Sequence, residues 1–378
     1  MKIVIAPDSF KESLTAQGVA QAIAAGVRDV LPDAEIVCVP MADGGEGTLD
    51  AVLAATQGLS RSLEVRDALL RTRQAHWGWL PGDTAFIEMA EAAGLEHILP
   101  ADRDPRIADT HGVGQLLIAA LDAGATSIVL TAGGSATNDA GAGMLRACGM
   151  RLLDANGKDL PPGGLALRDL HRIDTQGLDS RLRDVRLIIA TDVSNPLCGA
   201  HGASAIFGPQ KGATPEMVKA LDESLKRFAD MSAQTLGLDH RDTPGAGAAG
   251  GLGFAAIAWL GATVQAGAEL VAQIVGLDQT LDHADLVFTG EGRMDEQTSQ
   301  GKTPMAVIGL AKNRAIPVIA LVGGLGSGYQ KLHAAGLTAA FSLVDAPMDL
   351  SAACLRAPEL LRDRAAQVMR LWLAGISR

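Results

Sequence analysis

The strongest constraint on the fold is a pattern of short apolar runs, each followed by a polar loop and a helix-like segment. Two such units open the chain, with apolar runs at residues 2–6 and 35–39. Three more lie near its end, with runs at 285–289, 317–322 and 339–344. Because alternating strand and helix units form parallel sheets with helices on both faces, the pattern predicts an α/β fold.

The two groups share this pattern, and each is too small to form a domain alone. We therefore predict one discontinuous domain, residues 1–65 plus 284–378, with a Rossmann or flavodoxin-like parallel sheet. Residues 66–283 then form an inserted mixed α/β domain, which contains a predicted hairpin around Pro81-Gly82. We expect the active site in the cleft between the two domains.

The composition argues against several classes of function. Lys and Arg number 32 and Asp and Glu number 43, so the formal net charge is −11. A nucleic-acid-binding protein needs a basic face, and we expect no such partner. The sequence has no apolar run of membrane-spanning length. The four cysteines form no CxxC pair, which favours reduced core thiols in a cytoplasmic protein.

Two glycine-containing motifs resemble nucleotide sites but lack the required context. Residues 245–250 read GAGAAG, yet they follow a polar, proline-containing segment rather than a strand, which favours a packing turn. Residues 301–303 read GKT, but Glu296 stands where a phosphate-binding P-loop requires glycine. Lys302 still precedes a predicted helix with Thr303 as its N-cap, so it remains a candidate for contacting phosphate.

Polar side chains follow the strands of the discontinuous domain, at the edge where open α/β sheets bind ligands. The candidates in these loops are Asp8, Ser9, Lys11, Asp43, Glu46, Glu291, Arg293, Asp295 and Lys302. Glycines beside them allow the backbone to approach a phosphate closely. Carboxylates on the same edge can bind Mg²⁺ or act as a base.

The inserted domain contributes three more loops. Residues 132–141 follow a predicted strand and are typical either of an anion-binding loop or of a tight strand–helix turn. Asp192 follows another predicted strand and is a candidate base or metal ligand, with an Asx turn as the alternative. Lys211 lies in the third loop, Gly208–Gly212.

Six segments, in order along the chain, resemble the glycerate kinases of the bacterial two-domain type. They are APDSFK (6–11), ADGGEGT (42–48), GGSATND (133–139), TDVSNPL (191–197), GPQKG (208–212) and TGEGRMD (289–295). Each is weak alone, but together they span nearly the whole chain and are highly specific. The resemblance implies Mg²⁺-dependent transfer of the ATP γ-phosphoryl group to D-glycerate, which in many relatives yields 2-phosphoglycerate for sugar-acid and glyoxylate catabolism.

With that resemblance, the loop residues receive expected roles. The catalytic candidates are Asp192 as first choice of base, Asp43 as second, and Lys11. The candidates for binding glycerate are Asp8, Ser9, Lys11 and Arg293. The candidates for Mg²⁺ are Asp43, Glu46 and Asp295. The candidates for the ATP phosphates are Gly134, Ser135, Thr137, Asn138, Lys211 and Lys302.

Two other functions stay open at this point. An NAD-dependent hydroxyacid dehydrogenase has the displaced GxGxxG motif as its only specific support. A non-catalytic cytosolic sensor of sugar acids would suit a two-domain cleft, although no basic segment or DNA-binding helix pair accompanies it. The sequence also leaves open whether the protein is a homodimer and which hydroxyl of glycerate is phosphorylated.

Overall fold

The structure is a computed structural model that describes residues 1–376. Contacts group these residues into two compact units. Unit 1 comprises Met1–Asp43, Asp50–Gln57 and the described residues from Ala266 onward, and unit 2 comprises Gly44–Leu49 and Gly58–Gln265. Residues 58–65 therefore pack in unit 2 and residues 266–283 in unit 1. The predicted division into residues 1–65 plus 284–378 around residues 66–283 stays a prediction.

Unit 1 contains a parallel five-stranded sheet, as the five strand–loop–helix units predict. Its strands are Lys2–Ile5, Glu35–Cys38, Leu286–Thr289, Val318–Val322 and Leu337–Ser342. Numbered 1 to 5 along the chain, they lie in the order 5-4-3-1-2. This is the flavodoxin-like order, so the predicted α/β class with a parallel sheet is confirmed.

The direction of winding reverses between strands 1 and 3 of this sheet. Strand 1 pairs on one side with strand 2 and on the other with strand 3, where Ile5 lies opposite Phe288. Open α/β sheets bind ligands beyond the carboxyl ends of the strands at such a switch point. The chain leaves strand 1 toward Asp8 and strand 3 toward Glu291.

Helices flank this sheet because their apolar positions recur at helical spacing. The first begins at the predicted N-cap Thr15, whose Oγ1 accepts the N–H of Gly18 at 3.1 Å. Its buried residues Val19 and Ile23 pack with Leu361 of the last helix in one apolar cluster. The helices with residues in unit 1 are Ala16–Arg28, Thr48–Thr56, Gly267–Ile274, Leu277–Thr280, Thr303–Lys312, Lys331–Ala335 and Leu350–Ile376.

Two further elements lie near the carboxyl edge of the unit 1 sheet. The short strands Arg293–Met294 and Gly324–Leu325 pair in parallel, and a 3-10 turn spans Glu296–Gln300. The prediction of Thr303 as an N-cap is wrong. The N-cap of helix Thr303–Lys312 is Lys302, because the hydroxyl of Thr303 donates to Asp8 instead of capping its own helix.

Unit 2 contains a mixed six-stranded sheet. In spatial order its strands are Thr263–Gln265, Arg186–Ala190, Ser127–Thr131, Thr84–Glu88, Thr72–Leu80 and Leu59–Arg66. The first four are parallel and the last two pair antiparallel. The hairpin predicted around Pro81-Gly82 is confirmed, since Leu80 pairs with Thr84.

Helices and small elements complete unit 2. The α-helices are Met89–Ala93, His111–Asp122, Ala142–Ala147, Ala203–Phe207, Pro215–Leu236 and Ala248–Leu260. The 3-10 turns are Leu95–His97, Pro100–Asp102, Gly164–Asp169, Ser180–Arg183 and Pro209–Lys211. Strands Arg151–Leu153 and Arg172–Asp174 form a separate antiparallel pair.

The GxGxxG motif serves packing, as its context predicts. It enters helix Ala248–Leu260, whose residues 249–251 have left-handed backbone angles. Gly250 has φ +67°, and a Cβ on it would lie 1.9 Å from the Thr137 carbonyl oxygen. A Cβ on Gly247 would lie 2.3 Å from the Pro196 carbonyl oxygen. Only glycine permits these approaches.

The cysteine prediction is correct in part. All four are free, with Cys148 buried and Cys198 and Cys354 half-buried. Cys38 is exposed, contrary to its expected place in the core, because its strand is the outermost one of the unit 1 sheet. Across residues 1–376, no helix combines the length and the apolarity that crossing a bilayer requires.

Candidate active site

Asp8 lies just beyond strand 1 of the unit 1 sheet, with its carboxylate fixed by three donors. Its Oδ1 accepts the backbone N–H of Ser9 at 2.6 Å and the Ser9 hydroxyl at 3.3 Å. Its Oδ2 accepts the Thr303 hydroxyl at 2.6 Å. The Asp8 backbone N–H donates to the Gly290 carbonyl at 2.8 Å. The first and third predicted loops of the parallel sheet therefore meet at this carboxylate.

Burial and, next, repulsion from Asp43 raise the pKa of Asp8 to about 6. The hydrogen bonds from Thr303 and Ser9 act in the opposite direction, because they stabilise the ionised carboxylate. Repulsion of this kind requires the two carboxylates to lie close together. The second predicted loop thus brings Asp43 to the Asp8 site within unit 1.

Glu291 adds a third carboxylate at the carboxyl edge of strand 3. It is buried, and its Oε1 accepts the Thr298 hydroxyl at 2.6 Å. Burial is the main cause that raises the pKa of Glu291 to about 7, and repulsion from Asp8 and Asp295 adds to it. Attraction to Lys302 and the Thr298 hydrogen bond lower it. Lys302 therefore belongs to this cluster.

Three other predicted residues lie at the rim of unit 1. Arg293 is about three-quarters exposed, and its Nε lies 3.3 Å from Asp295 Oδ2. Asp295 also accepts the backbone N–H of Gln297 at 2.9 Å and begins the Glu296–Gln300 turn. Lys11 is exposed after the first strand.

In unit 2, Glu88 anchors the loop that carries Glu46. It is the last residue of strand Thr84–Glu88, and its two carboxylate oxygens accept the backbone N–H groups of Gly47 at 3.2 Å and Leu49 at 3.1 Å. Burial raises the pKa of Glu88 to about 8. Burial, followed by the adjacent Glu46 carboxyl, raises the pKa of Glu96 to about 7.

The same loop packs against the glycine-rich segment after strand Ser127–Thr131. The Gly133 N–H donates to the Gly44 carbonyl at 3.3 Å. A Cβ on Gly133 would lie 2.6 Å from the Cα of Gly45. Gly134 is exposed with φ +72°, so the accessible part of this segment is glycine backbone.

The side chains that follow these glycines point into the protein. Ser135, Thr137 and Asn138 are buried, and so is Lys211. The Lys211 ammonium donates to the Ser135 hydroxyl and to the Thr137 carbonyl, each at 2.7 Å. Asn138 Nδ2 donates to the Ser204 hydroxyl at 2.8 Å. The predicted loops 132–141 and 208–212 therefore contact each other. The side chains that join them are buried beneath loop 132–141 rather than exposed on its surface.

Asp192 follows the neighbouring parallel strand Arg186–Ala190 and is exposed. The adjacent turn is held by Thr191, whose Oγ1 accepts the Val193 N–H at 3.4 Å. Asn195 Nδ2 donates to the His201 carbonyl at 2.9 Å.

No group of three or more His, Cys, Asp and Glu side chains among the described residues is arranged to hold a metal ion. Of the predicted Mg²⁺ ligands, Asp43 and Asp295 belong to unit 1 and Glu46 to unit 2. Their shared role stays a prediction. Two carboxylates that repel each other, as Asp8 and Asp43 do, suit a hard cation, because a cation would relieve their repulsion.

Comparison with known proteins identifies the family. The sequence profile named Glycerate kinase family matches residues 3–373. This chain belongs to the glycerate kinase family.

Relatives cover almost the full length of this family member. It is 49% identical to the glycerate 2-kinase of Escherichia coli strain K12, over 91% of both chains. It is 48% identical to the glycerate kinase of Bacillus subtilis strain 168, over 97% of this chain and 98% of that one. A crystal structure from Salmonella typhimurium LT2, described as a candidate glycerate kinase 2, superposes with a TM-score of 0.90 at 47% identity over all of both chains.

As a member of the glycerate kinase family, the chain is a phosphotransferase. Sequence reasoning gave no site role to three residues that shape the candidate loops: Glu88, Thr303 and Asp139. Glu88 could have been found from the sequence, because it is a carboxylate at the end of an otherwise largely apolar strand. Asp139 is buried and accepts four hydrogen bonds, from Thr110 N–H and hydroxyl and from the N–H groups of Gly141 and Gly143.

Proposed function

We propose that this protein transfers the γ-phosphoryl group of ATP to D-glycerate and forms 2-phosphoglycerate. The observation that carries the proposal is the 49% identity, over 91% of both chains, to a relative named glycerate 2-kinase. The flavodoxin-like switch point with polar loops supports it, since such an edge binds small polar ligands. A role in sugar-acid catabolism, a cytoplasmic location and a homodimeric state remain parts of the proposal.

The loops offer suitable chemistry for a nucleotide. Glycine backbone is accessible at Gly134, and a backbone N–H on a residue without a Cβ suits a phosphate oxygen. Thr137 Oγ1 and Asn138 Oδ1 are buried without a hydrogen-bond partner, which suits a segment whose polar groups adjust on binding. Lys302, at the start of a ten-residue helix, is a further candidate for phosphate.

Mg²⁺ enters the proposed reaction as part of the MgATP substrate. It favours one or two carboxylates together with phosphate oxygens. Asp43, one of the three predicted ligands, would supply such a carboxylate together with Asp8, and Glu46 and Asp295 stay predicted ligands. When bound, the ion neutralises charge on the transferring phosphoryl group.

Phosphoryl transfer otherwise requires positioning of the acceptor hydroxyl. We assign the binding of the glycerate carboxylate to Lys11, Ser9 and Arg293. A hydroxyl of glycerate would donate a hydrogen bond to the Asp8 carboxylate. Asp192 is the first candidate for accepting the proton of the attacking hydroxyl, and Asp43 is the second.

A coupled assay tests the reaction and its product. The purified protein is incubated with MgATP and D-glycerate, and the product is offered to enolase, pyruvate kinase and lactate dehydrogenase, with and without phosphoglycerate mutase. We expect NADH oxidation without the mutase, which requires 2-phosphoglycerate. A signal that depends on the mutase would assign 3-phosphoglycerate. No signal with folded protein and active coupling enzymes would refute glycerate phosphorylation.

The base assignment has its own test. Asp192→Asn should lower kcat by a factor of about 10² to 10⁴, the usual contribution of a general base, with little effect on KM. Asp184→Asn, at another exposed aspartate of unit 2, is the matched control. Wild-type turnover by Asp192→Asn would remove Asp192 as the base and leave Asp43.

A further inference from the structure

Lys211 is a buried lysine whose position needs an explanation. Only about 1% of the residue is exposed. A lysine is rarely buried without a charged partner, because its ammonium loses hydration. Here the two direct acceptors, the Ser135 hydroxyl and the Thr137 carbonyl, are both neutral. An apolar side chain would fill this place without the cost of burying an ammonium, so the two hydrogen bonds of Lys211 point to a further role.

Both bonds end on the segment that carries the exposed Gly134. Ser135 is the next residue along the chain and Thr137 follows two positions later, so the lysine holds the chain immediately after this glycine. A third hydrogen bond, from Asn138 to Ser204, joins the same segment to helix Ala203–Phe207, which leads into the turn that bears Lys211. Residues 203–212 therefore support the glycine segment from its buried side through these three hydrogen bonds.

The electrostatic surroundings agree with a fixed, internal role. Burial lowers the pKa of Lys211 to about 7, and Asp139 opposes this change by favouring the charged ammonium. The Asp139 carboxylate itself is occupied by four donors and repelled by Asp109, which is in turn paired with Arg146. The ammonium thus lies beneath the loop, in contact with its interior side.

We propose that Lys211 is a positioning residue, which bridges Ser135 and Thr137 and thereby fixes the backbone of the exposed Gly134 for contact with the phosphates of the nucleotide. The ammonium itself does not touch phosphate. The inference rests on the proposed function in one respect, namely that the ligand of the loop is MgATP.

The first test is the kinetic effect of Lys211→Met, with exposed Lys219→Met as the matched control. We expect the KM for ATP to rise at least tenfold in Lys211→Met while the KM for D-glycerate stays within twofold. General damage to the fold would lower the active fraction, and hence kcat, without this selectivity. A KM for ATP within twofold of wild type would overturn the proposal.

Ser135→Ala separates positioning from direct contact. It removes one anchor and leaves the ammonium in place. We expect the KM for ATP to rise in Ser135→Ala, and the double variant with Lys211→Met to be no worse than Lys211→Met alone. If the lysine contacted phosphate directly, Ser135→Ala would leave the KM for ATP unchanged, and the proposal would be wrong. Should Lys211→Met fail to fold, Lys211→Gln and Ser135→Ala carry the same comparison.

Hydrogen exchange tests the positioning role of Lys211 independently of the proposed function, because the measurement needs no substrate. Without any ligand, amides of residues 132–141 should exchange faster in Lys211→Met than in wild type, while those of helix Ala16–Arg28 stay unchanged. Equal exchange in residues 132–141 would overturn the positioning role. Failure of wild-type protein to phosphorylate D-glycerate would instead refute the proposed function.

Discussion

The Thr303 hydroxyl donates to Asp8 Oδ2 at 2.6 Å, although the two residues are 295 positions apart. The contact joins the loops after strands 1 and 3, which flank the switch point of the unit 1 sheet. It also holds down a pKa that burial and Asp43 raise. The charge of Asp8 therefore depends on two opposing neighbours, since Asp43 raises its pKa and Thr303 lowers it. Substitution of either neighbour tests its contribution.

Thr303→Val should move the acid limb of the pH profile of kcat/KM for D-glycerate upward by about one pH unit. A hydrogen bond to a charged group contributes roughly 1.5–3 kcal/mol, and 1.4 kcal/mol corresponds to one pKa unit. Without the donor, Asp8 takes up its proton at higher pH. Thr280→Val is the control, because its half-buried hydroxyl donates to the carbonyl of Gly276, the N-cap of its own helix. An unchanged profile would contradict the assigned role of Asp8.

Asp43→Asn should move the same limb in the opposite direction. Removing the negative charge of Asp43 removes a repulsion that raises the pKa of Asp8. The acid limb should therefore fall to lower pH, while kcat/KM falls at least tenfold because a proposed ligand of MgATP is lost. Asp33→Asn, at an exposed aspartate, should change neither quantity. An upward shift would show that the two carboxylates do not repel each other.

Gly250→Ala should destabilise the protein far more than Gly261→Ala. Both glycines have nearly the same left-handed backbone, φ +67° and φ +65°. A Cβ on Gly250 meets the Thr137 carbonyl oxygen at 1.9 Å, whereas one on Gly261 has no atom within 4 Å. Urea unfolding should show a loss of about 1 kcal/mol for Gly261→Ala and about 3 kcal/mol or more for Gly250→Ala. Equal losses of stability would mean that the left-handed backbone alone, and not the contact with Thr137, requires glycine at position 250.

Glu88→Gln should flatten the decline of stability with rising pH. The folded pKa of Glu88, about 8, lies above its ordinary value of 4.5. Between these values the folded state binds more protons than the unfolded state, so the free energy of unfolding falls as pH rises. The stabilisation is complete below about pH 4.5 and lost as pH passes through 8. Tm measured from pH 5 to 9 should therefore decline less steeply in Glu88→Gln than in wild type.

Glu64→Gln is the matched control for this measurement, because Glu64 is exposed on strand Leu59–Arg66. Its Tm profile should follow that of wild type. Parallel profiles for wild type and Glu88→Gln would contradict a raised pKa at Glu88.

The sheet of unit 1 could be predicted because its strands are short apolar runs with loops of distinct composition. Strand order was not predictable, since the pairing of strand 1 with strand 3 joins residues about 280 positions apart. The exposure of Cys38 follows from that order, because only the order makes its strand an edge.

The loops of the candidate site could be located from strand ends, but the direction of their side chains could not. Spacing alone does not tell that the Ser135 hydroxyl and the Thr137 carbonyl face Lys211, because the left-handed residue Gly134 turns the chain just before them. The same limit applies to Thr303, whose hydroxyl was expected to cap a helix and instead contacts Asp8.

The interior position of strand 1 has a consequence for synthesis on the ribosome. Strand 1 can pair with strand 2 once Cys38 has emerged, but its other edge stays open until Leu286 is made. At 5–20 residues per second, that interval lasts roughly 10 to 50 s. During this time one edge of the apolar strand Lys2–Ile5 has no native partner strand, and an open strand edge of this kind can pair with other chains.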